Sequence, residues 1–192
     1  GCGGIMRVAP MALLDAGYAS RNENGYSIEE LAEAGGEIAE CTHKHPLSFL
    51  PASLLTVLLY KVVPMSVKQV QEEIDDIVID TLNILNRIYK GKYESDKRYL
   101  KELTEMAMLL AHSNISDADA IRQLGEGWVA EETWAIALYC AIRHIDSVEN
   151  AIIASVNHDG DSDSTGSVCG NIMGAIYGYE HIKERNIFCN EG

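Results

Sequence analysis

The chain has 192 residues, 47% of them hydrophobic, and its formal net charge at pH 7 is −14. This length fits one domain over residues 1–192, and the apolar content is enough for a substantial core. The negative charge excludes a protein that binds nucleic acid or anionic membranes through a basic surface, so we expect neither as a partner. An anionic ligand would need cations or backbone N–H groups at its binding site.

Helix signals follow one another along the chain, and strand signals are almost absent. Ser27 and Ser66 each begin a capping-box pattern, in which Ser is followed three residues later by Glu or Gln. Apolar residues then recur at helical spacing. The predicted helices, in chain order, are residues 6–14, a helix after Ser27, and residues 47–63, 66–88, 99–110, 129–145, 147–156 and 164–183. The predicted fold class is all-α, a multi-helix bundle.

The cysteines and the apolar stretches indicate the compartment. Five cysteines are scattered without a Cys-x-x-Cys pair, which is typical of reduced thiols in the cytoplasm. The most apolar stretch, residues 47–63, contains Pro51 and Lys61 and is shorter than the ~20 apolar residues that a membrane span needs. No secretory signal pattern opens the chain. We therefore predict a cytoplasmic protein without a membrane-spanning helix.

Glycine recurs every four residues in the last predicted helix, at Gly166, Gly170, Gly174 and Gly178. This spacing leaves one side of a helix without side chains, and a bare side lets another backbone approach closely. The pattern predicts that this helix packs at the centre of the fold.

The segment before that helix, residues 158–166 (HDGDSDSTG), concentrates carboxylates and hydroxyls. Such oxygen ligands suit hard divalent cations. An EF-hand loop is excluded, because no register supplies both the glycine at position six and the glutamate at position twelve. Taken alone, the segment favours helix capping and turn formation over metal binding, since Asp and Ser satisfy free N–H groups where helices begin.

Two other segments are candidates for binding. Residues 1–10 (GCGGIMRVAP) form a glycine-rich loop that runs into a helix, an arrangement that lets backbone N–H groups approach an anion such as phosphate. Cys41, His43 and His45 lie at the junction of two predicted helices. They could bind a transition metal, but their spacing matches no standard zinc pattern. Capping or packing of the two histidines is therefore favoured.

Read together, these segments resemble the ADP-ribosylglycohydrolase family. Residues 1–10 resemble its G-N-G-A-x-M-R-V-A-P block, with Cys2 where Asn is usual, and residues 42–46 (THKHP) resemble its T-H-x-H-P block. Residues 160–164 (GDSDS) resemble its G-D-[ST]-D-[ST] metal motif. Residues 124–132 (LGEGWVAEE) resemble the G-x-G-x-x-A-x-E segment that lines the substrate pocket.

The resemblance implies an all-α hydrolase with two Mg²⁺ or Mn²⁺ ions in a cleft. Such an enzyme cleaves the bond between ADP-ribose and a protein side chain or a related conjugate. The implied metal ligands are Asp161, Asp163 and Ser164. The implied substrate-binding residues are Gly1, Cys2, Gly3, Met6, His43 and Trp128.

One part of the family pattern has no counterpart in this chain. The family carries a further N-terminal segment with a [ST]-D-D-T string, which supplies the other metal ligands, and an acidic residue for acid–base catalysis. The resemblance therefore corresponds to the C-terminal two-thirds of such a domain, and the N-terminal segment is itself an expected partner. We expect the chain alone to show little glycohydrolase activity, with its acid–base residue unknown.

Two alternatives stay open beside the hydrolase. One is a non-catalytic relative, either crystallin-like or a scaffold that binds ADP-ribose without turnover. The other is a helical interaction protein in which the acidic loop of residues 158–166 serves only as a helix cap.

Overall fold

The computed structural model of the chain describes residues 1–20 and 25–184, and of residues 15–20 the backbone alone. Within these residues the chain forms a 3₁₀ turn and nine α-helices, and no strand. The 3₁₀ turn spans Ile5–Arg7, and the helices are α1 (Ala9–Ser20), α2 (Ile28–Glu40), α3 (Pro46–Val62), α4 (Val67–Ile88), α5 (Glu94–Ala111), α6 (Asp117–Leu124), α7 (Ala130–Arg143), α8 (Val148–Val156) and α9 (Ser162–Glu184). The predicted all-α fold class is confirmed.

Local capping determines where several helices begin. Ser27 and Ser66 are the N-cap residues of α2 and α4, and in both capping boxes the serine hydroxyl accepts from the third helical N–H group. The side chain of Glu30 or Gln69 accepts in return from the N-cap backbone. These reciprocal bonds satisfy N–H groups that the first helical turn leaves free. The predicted starts of both helices are therefore confirmed.

Helix α3 forms the centre of the molecule. All residues from 48 to 59 are buried, and the helix packs against α1, α2, α4, α5, α7 and α9. A helix that is apolar all round must be covered by other elements on every side. Although α3 is the most apolar helix, none in the described part of the chain is long and apolar enough to cross a membrane. The two remaining helices pack outside this group, α6 against α5 and α7, and α8 against α7 and α9.

The glycine spacing in α9 does not create a close-packed side, contrary to the prediction. A Cβ atom built on Gly174 or Gly178 would meet no atom within 4 Å, and one on Gly170 would make only an ordinary contact with Ile152. Close approach is confined to Gly166, where the built atom would lie 2.6 Å from Val156. Gly178 instead interrupts the helix with a φ of 75°. The spacing of four was compatible with a packed side but did not require one.

Helix α6 is attached to α7 through the carboxylate of Asp117. The hydroxyl of Tyr139 donates to Asp117 Oδ1 over 2.6 Å, and His144 Nε2 lies 2.9 Å from Asp117 Oδ2. Burial acts to raise the pKa of Asp117, but the hydrogen bonds from Tyr139 and His144 outweigh it, so the pKa lies below its ordinary value. The carboxylate form therefore stabilises the attachment of α6.

Replacing Asp117 by Asn should make the protein less sensitive to acid. Because the folded-state pKa is lowered, the contribution of the charge is complete above the ordinary value of 3.8 and is lost as the pH falls through the lower folded value. At neutral pH we expect Asp117→Asn to lower the free energy of unfolding by about 1 kcal/mol, since the group is partly exposed and screened. Urea unfolding at a series of pH values measures this difference.

The difference between Asp117→Asn and wild type should shrink as the solution becomes acidic. Asp146→Asn, at an exposed aspartate, is the matched control and should behave as wild type throughout. A difference that stays constant down to strongly acidic solution would contradict the assignment.

Candidate functional site

Two loops far apart in sequence meet at one cluster of side chains. The thiol of Cys2 donates to Asp161 Oδ2 over 2.9 Å. The hydroxyl of Ser164 lies 3.0 Å from the same carboxylate oxygen, 3.2 Å from Cys2 Sγ and 3.3 Å from Met6 Sδ. We call these four residues the Asp161 cluster. It brings together two of the predicted metal ligands and two of the predicted substrate-binding residues.

Asp161 begins α9 and also faces the opening loop. Its carbonyl oxygen accepts from Thr165 N, and its side chain is 8% exposed. Burial acts to raise the pKa of the Asp161 carboxyl, but hydrogen bonding, first of all from the Cys2 thiol, holds it below its ordinary value. Ser164 lies in the first turn of α9, where the sequence favoured helix capping. The carboxylate of Asp161 is therefore both at the start of the helix and at the centre of the cluster.

Cys2 enters this cluster as a neutral thiol. Burial raises the pKa of the thiol, and its hydrogen bond to Asp161 raises it further. A protonated Cys2 can donate to the carboxylate, whereas a thiolate would be repelled by it. The residue that departs from the family pattern thus contacts a predicted metal ligand directly.

A third loop, Gly125–Trp128, contacts the Asp161 cluster at the start of α9. Asp161 N donates to the carbonyl of Glu126 over 2.7 Å. A Cβ atom on Gly160 would lie 1.9 Å from that same oxygen, so only glycine allows the two loops to approach. Glu132 fixes the loop in turn, because its Oε2 accepts from Glu126 N and Gly127 N over 3.0 Å each. Glu126 and Glu132 lie within residues 124–132, which resemble the pocket-lining segment of the family, but the resemblance did not predict these hydrogen bonds.

His158 holds the acidic loop from the other side. Gly160 N donates to His158 Nδ1 over 3.1 Å, which places the ring proton on Nε2. That nitrogen lies 2.8 Å from the hydroxyl of Thr165, whose own proton is directed to the carbonyl of Ser155 over 2.7 Å. The loop before α9 is thus anchored by hydrogen bonds that are partly or fully buried.

The glycine loop at the start of the chain packs against His43. Cβ atoms built on Gly1 and Gly3 would lie 3.4 Å and 3.3 Å from the imidazole ring, so the ring lies directly over the loop. The hydroxyl of Thr42 lies 2.7 Å from His43 Nδ1 and accepts from Arg7 over 2.6 Å. In this arrangement the hydroxyl can donate to Nδ1, which leaves Nε2 as an N–H donor beside the glycines. An anion held by the loop would gain a further hydrogen bond there.

His43 does not form a cluster with Cys41 and His45, the other two residues of the candidate metal site. His45 caps α3, since its Nδ1 accepts from Leu47 N over 3.2 Å, and Cys41 is an exposed free thiol. The capping interpretation is therefore correct for His45.

Trp128 lies apart from the Asp161 cluster. Its side chain is 58% exposed, and its Nε1 donates to Glu126 Oε2 over 3.1 Å. The neighbouring Glu131, which was not predicted, is only 9% exposed at the start of α7. Burial raises the pKa of Glu131, and the charge of Glu132 adds to this shift. The position of Glu131 within residues 124–132, which resemble the pocket-lining segment, was the one sequence signal that could have indicated it.

The donor set fits one side of a site for a hard divalent cation. Asp161 and Asp163 are two residues apart at the start of α9, and carboxylate oxygens are ligands that hard divalent cations prefer. Ser164 adds a hydroxyl oxygen to this pair. Within the described ranges, however, no group of three or more His, Cys, Asp or Glu side chains converges to hold a metal ion. The fit is therefore limited to part of one coordination shell.

Gly160→Ala should disrupt the junction between the acidic loop and Gly125–Trp128. The added methyl would overlap the Glu126 carbonyl, so one loop must move, and we expect the free energy of unfolding to fall by about 1–3 kcal/mol or more. Gly174→Ala is the matched control, because its methyl meets no atom within 4 Å and alanine is the better helix former by about 0.5–1 kcal/mol. Denaturant unfolding measures both variants, and equal destabilisation of the two would refute the assigned contact.

Comparison with known proteins gives matches along nearly the whole chain. The family model described as ADP-ribosylglycohydrolase matches residues 1–188. The chain is 24% identical over 200 residues to human ADP-ribosylhydrolase ARH3, an alignment that covers 96% of this chain and 52% of that protein. The mouse and chicken ARH3 proteins are likewise 24% identical, over 96% and 95% of this chain and 51% of each relative. The chain thus spans about half the length of these relatives, and it belongs to the ADP-ribosylglycohydrolase family.

Proposed function

We propose that this chain forms the ADP-ribose-binding part of a hydrolase that removes ADP-ribose from modified protein side chains or a related conjugate. One observation carries the proposal: the Cys2–Asp161 contact, at 2.9 Å, joins the glycine loop to the acidic loop although the residues are 159 positions apart. A loop suited to an anion and a loop suited to a divalent cation therefore share one cluster. This combination suits a diphosphate ligand, which backbone N–H groups and a divalent cation can bind together.

Charge makes this combination necessary. The protein carries a net charge of −14, so its field opposes an anionic ligand. Backbone N–H groups of the glycine loop and the ring N–H of His43 are donors that do not depend on a basic side chain. Divalent cations supply the remaining positive charge.

We propose Asp161, Asp163 and Ser164 as ligands of Mg²⁺ or Mn²⁺, two ions being expected in the complete site. When bound, such ions would polarise the bond to be cleaved and lower the pKa of a bound water. The residues of this chain would orient the ADP-ribose: Gly1, Cys2 and Gly3 along the diphosphate, Met6 beside Ser164, and His43 as a donor to an anionic oxygen. Trp128 would contribute at the rim. The acid–base residue of the reaction stays unassigned.

A cytoplasmic location is part of the proposal. It is supported by the free thiols of Cys2, Cys41, Cys140 and Cys169, since a reducing compartment keeps cysteines unpaired.

A second candidate is a relative that binds ADP-ribose without turnover. The absence of a convergent group of three or more metal-ligating side chains from the described residues favours it. Metal dependence of ligand binding separates the two candidates, because only the hydrolase requires the acidic loop to hold an ion.

Asp161→Asn should separate these candidates. Asn still caps a helix but removes the charge, so the fold is retained. In calorimetry we expect wild type to bind ADP-ribose more tightly when Mn²⁺ is present, and Asp161→Asn to bind Mn²⁺ at least about tenfold more weakly. Asp159→Asn, at an exposed position of the same loop, is the control and should match wild type.

The results of this calorimetry exclude one candidate or both. ADP-ribose binding that is independent of Mn²⁺ in every variant would favour the non-catalytic relative. A lack of ADP-ribose binding under all conditions would refute both candidates.

Release of ADP-ribose by the 192-residue chain alone should stay near background with Mg²⁺ or Mn²⁺. Asp161, Asp163 and Ser164 supply only part of the ligands of two ions, and no acid–base group is assigned, although such a group typically contributes about 10²–10⁴-fold in rate. The assay is release of ADP-ribose from a modified protein, with a full-length family member in parallel. Equal turnover by both proteins would contradict this account of the ligand set.

A further inference from the structure

The loop Gly125–Trp128 presents an exposed indole ring on a rigid support. The carboxylate of Glu132 accepts from two of its N–H groups, and the hydroxyl of Thr133 donates to the carbonyl of Gly127 over 2.8 Å. The carbonyl of Glu126 accepts from Asp161 N. A loop held by this many hydrogen bonds has little freedom left to lose when a partner binds, which favours affinity.

The indole is oriented by a carboxylate. Trp128 Nε1 donates to Glu126 Oε2 over 3.1 Å, while more than half of the side chain stays accessible. The chain's other tryptophan, Trp134, is fully buried and donates to Thr104 Oγ1 instead. Trp128 is therefore the tryptophan ring that is accessible to a partner, with a carboxylate held at its edge.

Two cavities share lining residues of the loop Gly125–Trp128, and one of them is lined by Trp128 itself. One, of about 400 Å³, lies between α6, Gly125–Glu126 and residues 157–160, and the other, of about 440 Å³, is lined by Trp128, Val129 and Glu132. Both are also lined by Arg122, Gly125 and Glu126, and we call them together the Trp128 groove. None of the described residues that line it belongs to the Asp161 cluster. The groove is thus a separate surface beside the cluster.

The charges along the Trp128 groove are mainly negative. Glu126, Glu132 and Asp159 contribute carboxylates, while the guanidinium of Arg122 is paired with Asp119 over 2.8 Å. A cation placed over an indole face is attracted by the ring and, here, by the carboxylate at its edge. A diphosphate would be repelled by the same charges. The groove therefore complements a positively charged side chain.

We propose that the Trp128 groove binds an arginine or lysine side chain of the polypeptide that carries the ADP-ribosyl group. The proposal rests on the proposed function for the identity of that polypeptide. The groove would hold the carrier beside the modified residue, while the Asp161 cluster faces the ADP-ribose. Substrates with basic residues near the modification would thereby be preferred over acidic ones.

The test uses short peptides without ADP-ribose, so that its result does not depend on the hydrolase activity. A peptide of alternating arginine and glycine is compared with its glutamate counterpart, by fluorescence of the Trp134→Phe protein, in which Trp128 is the reporting tryptophan, and by calorimetry. We expect the arginine peptide to bind weakly and the glutamate peptide not to bind. Binding should weaken roughly three- to fivefold in Trp128→Ala, the loss of an exposed cation–π contact. Glu126→Gln should weaken it similarly and reduce its dependence on salt.

Matched controls separate this site from general attraction to an acidic protein. Tyr179→Ala removes another aromatic ring, 71% exposed, and Glu149→Gln removes an exposed carboxylate elsewhere. Equal peptide affinity in Trp128→Ala and Tyr179→Ala would overturn the proposal. ADP-ribose binding is measured in parallel. Binding of the peptide without binding of ADP-ribose would support the Trp128 groove as a peptide site and refute the proposed function. Binding of ADP-ribose without binding of the peptide would refute only the proposal for the groove.

Discussion

Asp161 joins three parts of the chain that are distant in sequence, and the candidate site depends on this residue. Its N–H donates to the carbonyl of Glu126, its carboxylate accepts from Cys2, and its own carbonyl accepts the first backbone bond of α9. Because one residue makes all of these contacts, none of the three segments can shift without the others. Gly160 makes the junction possible, since any side chain there would overlap the Glu126 carbonyl. The close approach of two backbones thus sets the position of the acidic groups.

Electrostatics then divides the surroundings of this junction into two surfaces. On one side, the glycine loop and the ring of His43 offer N–H groups without adding basic side chains. On the other, carboxylates of the Trp128 groove surround an exposed aromatic ring. In a protein with a net charge of −14, the first arrangement suits an anion only at close range, whereas the second is reinforced by the overall field. A substrate that is anionic at one end and cationic at the other would match both surfaces.

Local signals in the sequence predicted most of the helices, because the interactions that begin them are local, although α6 (Asp117–Leu124) was not predicted. Ser27 and Ser66 needed only a partner three residues away, and both capping boxes are present. Contacts between helices were harder to predict from the sequence. The spacing of Gly174 and Gly178 suggested close packing, yet open space surrounds both positions, since a periodic pattern does not identify the neighbour that would use it. The support that Glu132 gives to Gly125–Trp128, and the burial of Glu131, likewise depend on how α7 is placed against other helices.

For the acidic loop, the sequence left helix capping and ligand binding as alternatives, and the structure makes them compatible. A carboxylate has lone pairs for several hydrogen bonds, and the Ser164 N–H in the first turn of α9 is only one of the groups that lower the pKa of Asp161. The remaining capacity of Asp161 is directed to the opening loop, where Oδ2 meets the Cys2 thiol and the Ser164 hydroxyl. A residue needed only at the start of a helix would not require a half-buried thiol and a hydroxyl on the same carboxylate oxygen. The cap holds Asp161 in position, and the position gives its carboxylate a second partner on a distant segment of the chain.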